Sequence, residues 1–264
     1  GLRRLFDQIS LSIHPTGSPM RFKPEELLIS VAASLLDNPE TKHVAVGAAS
    51  PIPGAAALLA KENRPDLDVT IIHGTANNMF TDGGRELFDC AGQGRIHAFF
   101  LGGVQIDGQA NINLVGTGEY PNLERRFPGS FGSAYMYFTV QNVILFRPEH
   151  SRRVFVKKVD FISAPGVSDA RIQRNGGPKA LITDLCLMSF NSASTRFKLE
   201  TVHPGHSIEE VLDNTGFDID IPDNVRETSV PSEDQLNKLR NKIAPEIAKT
   251  YPSFANQIFG IKSA

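Results

Sequence analysis

The feature that most constrains this chain is a strand, a helix and a second strand in direct succession. Residues 43–49 (HVAVGAA) are a short apolar run. Residues 51–60 open on Pro-Ile-Pro-Gly and continue as an alanine-rich helix, and residues 68–72 (DVTII) are a second apolar run. Strands joined through a helical crossover lie parallel in one sheet. Short strands that are apolar throughout, rather than alternating, are buried strands. The predicted fold class is therefore α/β, an open, mixed, largely parallel sheet flanked by helices.

The rest of the chain extends this pattern. Pro24-Glu25-Glu26 opens a helix, with proline in the first turn and acids at the positive dipole end; it ends before Pro39. Further strands are predicted at 98–101, 111–115, 142–146, 160–162, 180–183, 186–190 and 197–202, with a hairpin around Asp184. A short helix covers 86–92. Ser207 and Glu210 form a capping box for a helix over 207–214, and Pro231-Ser232 open the last helix, 234–243. The domain plan is an N-terminal arm (1–24), one domain (25–245) and a C-terminal tail (246–264), whose Tyr251, Phe254 and Phe259 need a surface to dock on.

Several function classes are excluded. A net charge of −2 provides no basic field for nucleic acid or an anionic membrane. No apolar run approaches the roughly 18–20 residues of a membrane span, and the N-terminus lacks the apolar core of a signal peptide. Cys90 and Cys186 are too far apart for a zinc motif, which suits a reduced, cytoplasmic protein. His203 and His206 flank a Pro-Gly turn with no third ligand nearby, so no metal is expected. Ser50 is not in a G-x-S-x-G elbow, and no G-x-G-x-x-G fingerprint is present.

Residues 99–113 (FFLGGVQIDGQANIN) are the candidate ligand segment. An apolar strand stops on Gly102 and Gly103, which leaves backbone N–H groups open where α/β folds hold ligands. The glycines serve either close ligand approach or a plain strand stop. Gln105 is either a surface residue or an amide donor. Asp107, ahead of Gly108, is a turn former. Asn111 and Asn113 share a face and either bind substrate or hold the loop. Gly116 opens a flexible loop in which Glu119 is a spare or a solvated carboxylate. Arg152, Arg153, Lys157 and Lys158 either bind phosphates or keep a strand edge soluble.

Four stretches then occur in order: FFLGGVQID, TGEYPNLERRFPGSFGSA, SRRVFVKKVDFISAPG and DNTGFDID. Together they resemble the β subunit of class I CoA-transferases, most closely the glutaconate type, over about residues 25–245. They also resemble the β subunit of the related steroid-ring-opening CoA hydrolase. The resemblance implies an α-subunit partner in an α2β2 assembly and an acyl-CoA thioester substrate at the subunit interface. It implies no covalently bound cofactor. In the family's transferases a β-subunit glutamate, at the end of the strand after the first crossover helix, forms a glutamyl-CoA intermediate. Here the matching strand ends in His73-Gly74-Thr75, and Glu86, thirteen residues on, is not given the role. The expected function is a variant that hydrolyses, or cleaves a carbon–carbon bond in, a CoA thioester. His73 is its acid/base group, and Gly102, Gly103, Gln105, Asn111, Asn113 and Gly116 line the substrate. A genuine transferase and a non-catalytic subunit completing the α-subunit site are the alternatives.

Overall fold

Residues 21–261 are described by the computed structural model; residues 1–20 of the expected N-terminal arm and residues 262–264 of the tail lie outside them. The chain begins with α1 (Pro24–Ser34), β1 (His43–Val46), α2 (Pro51–Asn63), β2 (Asp68–Ile71), α3 (Gly83–Gly92) and β3 (Ala98–Leu101). Two small hairpins follow, β4 (Gln105–Ile106) with β5 (Ile112–Asn113) and β6 (Gly116–Thr117) with β7 (Arg125–Arg126). Then come α4 (Ser133–Thr139), β8 (Asn142–Phe146), β9 (Pro178–Ile182), β10 (Cys186–Asn191), β11 (Arg196–Val202), α5 (Ile208–Asn214) and β12 (Arg226–Glu227). Helices α6 (Glu233–Lys238), α7 (Ala244–Ala248) and α8 (Pro252–Phe259) close the chain.

Eight strands form one sheet in the order β12-β11-β10-β9-β8-β3-β1-β2. The run from β2 to β9 is parallel, and β9-β10-β11 are antiparallel. Alternate residues of each central strand serve opposite faces. Val44, Val46, Phe100 and Ile144 join the core under α1 and α2, while Ala45, Phe99, Leu101 and Leu145 join the core under α3 and α4. The mixed, largely parallel sheet with a βαβ start is thus as the sequence indicates.

Local chemistry explains the element ends. Glu26, 2% exposed, accepts the Lys23 N–H and a two-pronged bond from Arg240 (2.7 and 2.8 Å). This pairing makes burial of its charge tolerable and ties α1 to the C-terminal helices. Ser232 and Gln235 complete a capping box on α6. On α5 only half of the expected box forms: Ser207 accepts the Glu210 N–H, but the Glu210 carboxylate turns to His206 instead.

Several boundaries differ from expectation. The last helix does not stop at 243, because a π-helical turn (Leu239–Ile243) carries it on into α7. The wider turn accommodates Pro245, which lacks an N–H. Helix α8 was not predicted, and Tyr251, Phe254 and Phe259 pack against the core under α1 and α2. Residues 160–162 form no strand, since the Asp160 N–H bonds a side chain, Gln105 Oε1. Residues 111–115 shrink to the two-residue β5.

A buried polar network also escaped the sequence reading. His150 bonds Thr183 and Thr215, and His203 bonds Thr228 and the Thr183 carbonyl. Thr215 spends its proton on Val211 O, so His150 Nε2–H donates to it and Nδ1 accepts. A carbonyl can only accept, so His203 Nε2–H donates as well. Both rings are neutral, and burial pushes both pKa values down to about 4. Cys90 and Cys186 are buried and free. Among the described residues no helix is long and apolar enough to cross a membrane, and no three His, Cys, Asp or Glu side chains are grouped to hold a metal.

Candidate active site

Strand order reverses beside β1. Helix α2 carries the chain outward to β2, and α3 carries it back past β1 to β3. The crevice outside the carboxyl ends of such strands is where open α/β sheets hold ligands. Here it is bounded by the turn 47–50 after β1, His73-Gly74 after β2 and Gly102-Gly103 after β3. With strands about 4.8 Å apart, the β2 and β3 ends stand roughly 10 Å apart across β1.

The start of α2 does not resemble a phosphate cradle. Pro51 and Pro53 carry no N–H, the Gly54 N–H bonds Ser50 O, and the Ser50 N–H faces the Tyr251 hydroxyl at 3.5 Å. An anion site at a helix N-terminus depends on those amides. His73 is exposed at the rim, its ring stacked on Tyr251 with centroids 5.0 Å apart and planes at 16°. Burial raises the Tyr251 pKa, so its hydroxyl stays protonated and donates to Ala48 O at 2.8 Å. Asn77, at φ 54°, returns its carbonyl to the Ile71 N–H and its amide to Glu246 on α7. Glu86 is spent elsewhere: its carboxylate accepts the Asp82 and Thr81 N–H groups at the start of α3, which hold its pKa down.

The wall after β3 is a buried polar lattice. Gln105 Oε1 accepts from Asn113 Nδ2 (2.7 Å) and the Asp160 N–H (3.0 Å), and Gln105 Nε2 donates to Asp160 (3.1 Å). Asn113 Nδ2 also donates to Gly116 O, and its Oδ1 accepts the Val115 and Gly116 N–H groups. Asn113 therefore has no donor or acceptor left, and Gln105 keeps one free N–H. Asn111 is held by Asp107 and accepts the Gly166 N–H at 3.1 Å. Asp107 caps the turn through Gln109 and Asn111.

The glycines of this wall are close approaches of protein to protein. A Cβ at Gly103 would lie 2.7 Å from Ile112 Cγ2, one at Gly102 would lie 3.1 Å from Phe146 O, and one at Gly116 would meet Arg125 O. Replacing Asn113 by aspartate removes two buried donors and sets a carboxylate against Gln105 Oε1 and Gly116 O. The expected loss is roughly 3 kcal/mol of unfolding free energy, read from the urea midpoint; a loss below about 1 kcal/mol would show that the lattice is not made as described.

Of the predicted residues, His73 follows the carboxyl end of β2 and Gly102 and Gly103 follow that of β3, while Gln105, Asn111, Asn113 and Gly116 form a bonded frame after them. Glu119 is exposed in its loop. The four cations do not act as a patch: Arg152 bonds Asp213 O and Arg153 pairs with Glu149, while Lys157 and Lys158 are exposed. His203 is buried and His206 pairs with Glu210. Sequence reading missed Tyr251, Asn77 and Glu246. Only the apolar tail gave a signal, and it did not say where the tail docks.

Residues 24–214 match the family model described as Coenzyme A transferase. The chain is 36% identical over 153 residues to the B subunit of 3-oxoadipate CoA-transferase from Pseudomonas knackmussii, covering 56% of this chain and 58% of that protein. It is 35% identical over 153 residues to the B subunit of glutaconate CoA-transferase from Acidaminococcus fermentans, covering 55% and 56%. The aligned part is thus a little over half the length of these relatives. The cholesterol ring-cleaving hydrolase IpdB subunit of Rhodococcus jostii is 26% identical over 166 residues, covering 61% and 64%. The crystal structure of Rhodococcus jostii RHA1 IpdAB shares the fold, with a TM-score of 0.76 at 22% identity over 92% of this chain and 100% of that one.

Proposed function

The chain belongs to the coenzyme A transferase family, and from that membership we propose that it is the β-type subunit of a two-subunit enzyme acting on an acyl-CoA thioester by hydrolysis or carbon–carbon cleavage. One observation carries the departure from CoA transfer: His73 follows the end of β2, and no carboxylate occurs between Ile72 and Thr81. Glu86 is committed to the α3 amides, so it is not a spare nucleophile. A relative named as a ring-cleaving hydrolase subunit gives such chemistry a place in the family.

The hydrolytic step balances with His73 alone on this chain. The imidazole takes a proton from water as the water oxygen bonds the thioester carbonyl carbon. The carbon–sulfur bond then breaks, and the imidazolium returns the proton to the leaving CoA sulfur. Gly102 and Gly103 let the end of β3 pass closely over Phe146 and Ile112, and Gln105, Asn111, Asn113 and Gly116 hold the wall behind. The start of α2, where Pro51 and Pro53 carry no N–H, offers the CoA phosphates no helix-end cradle at the switch point.

Two of the relatives are named for short dicarboxylates, so glutaconyl-CoA is a suitable probe. In the assembled enzyme the expected result is thiol release without exchange onto an added carboxylate, and no hydroxylamine-trappable CoA ester on this chain. Such an adduct on one of its carboxylates would overturn the reading. A second reading, in which the chain only completes the partner's site, is favoured by the saturation of Asn113 and the near-saturation of Gln105.

A further inference from the structure

We infer that Tyr251 is a positioning residue for this site, so that residues 244–251, beyond the span that matches the family model, complete it; the inference rests on His73 being the reacting group. Two links carry it. The Tyr251 ring stacks on His73 while its hydroxyl holds Ala48 O at 2.8 Å, which joins the β2 end to the β1 turn through one side chain. Independently, Glu246 on α7 bonds Asn77 Nδ2 at 2.9 Å and anchors the loop that follows His73. The β1 and β2 ends, already paired through the Ile72 N–H to Val46 O, are thus also tied to the C-terminal helices.

The packing beneath the ring fits this role. Gly54, in the first turn of α2, lies under Tyr251: a Cβ there would stand 3.5 Å from the ring and 3.2 Å from Ile247 Cδ1. The ring therefore seats directly on helix backbone at the switch point. An exposed histidine without such a neighbour samples several rotamers. Stacking at 5.0 Å restricts the imidazole plane, and the hydroxyl sets the height of the turn it faces. Misplacing a reacting group by about 1 Å costs up to roughly a hundredfold in rate.

The test uses the full chain assembled with its partner and compares Tyr251→Phe, Tyr251→Leu and Phe254→Leu, the last on α8 but clear of His73. One readout is the NMR spectrum of the His73 imidazole protons, assigned by their loss in His73→Ala; the other is turnover of glutaconyl-CoA. Tyr251→Phe should keep the upfield ring-current shift on His73. Tyr251→Leu should lose it and lower kcat about ten- to a hundredfold with KM changed less than about twofold. Phe254→Leu should move neither. In a His73→Ala background the Tyr251→Leu change should cost nothing further. Unmoved His73 resonances in Tyr251→Leu, or a kcat loss no larger than in Phe254→Leu, overturn the positioning role. If His73→Ala itself turns over normally, the catalytic reading falls, and the positioning role with it. If His73→Ala is inactive and Tyr251→Leu is normal, the positioning role alone falls.

Discussion

Replacing His73 by alanine is expected to lower kcat of the assembled enzyme by about 10²–10⁴-fold, the range that a single acid/base group supplies. The side chain is exposed, and its one described contact is the stack on Tyr251. Unfolding free energy should therefore change by no more than about 1 kcal/mol, the worth of an aromatic pair. A lost rate in a normally folded, normally assembled protein separates chemistry from structure. The measurement is single-turnover thiol release from glutaconyl-CoA, with size-exclusion chromatography of the complex beside it. Turnover within a few-fold of the parent would leave this chain as the wall of a site whose chemistry belongs to its partner. His73→Gln is the sharper control, since an amide keeps hydrogen bonding and bulk but cannot exchange a proton near neutrality.

The second large effect is on stability in acid. His150 and His203 are 6% and 2% exposed, and burial pushes their pKa values down to about 4 from 6.5. A depressed histidine pKa means that the folded state refuses protons the unfolded chain accepts. The linked stability is fully present above about pH 6.5 and is lost as pH falls toward 4. Each ring accounts for roughly 3 kcal/mol over that window, so the pair removes about 6 kcal/mol, comparable to the whole stability of many domains. Urea titrations should show the unfolding free energy falling by at least about 2.7 kcal/mol per pH unit, the slope for two protons, because burial also holds His43 below its ordinary value. His203→Gln should start less stable and fall with a slope lower by about one proton. A parent slope no steeper than one proton would mean that one of the two rings is already charged in the folded state. The expected order also excludes the ordinary surface carboxylates as the cause, because their losses begin at lower pH.

The parallel half of the sheet was legible because its strands are largely apolar and its first two helices open on prolines. HVAV, DVTI, AFFL and NVILF each fix their own burial. The region from Gln105 to Gly166 was less legible because side chains do the work of a ladder there. Gln105 Oε1 bonds the Asp160 N–H, and Ser163 Oγ accepts the Leu114 N–H, so strand propensity had little to act on. His73 could be placed because it ends a readable strand. Asn111 and Asn113 could be put on one face, but whether that face met substrate or Asp107 and Gly116 depended on contacts that sequence spacing does not encode. Tyr251 was visible as an aromatic residue in need of a surface. Its contact with residues near positions 48 and 73 depends on the π-helical turn, which redirects the last helices back over α2.

The two margins of the sheet have a consequence for how this chain meets other proteins. At one margin, β2 turns the N–H groups of Val69 and Ile71 outward, and Asn77 O already occupies the second. At the other, β12 is two residues long, and both, Arg226 and Glu227, are exposed and charged. Neither margin offers the row of open backbone groups that recruits a foreign strand. Both margins are therefore poor templates for strand addition, whether into fibrils or across an interface with another chain. The exposed ring of Phe131, 87% accessible, lies away from both margins, on the loop before α4.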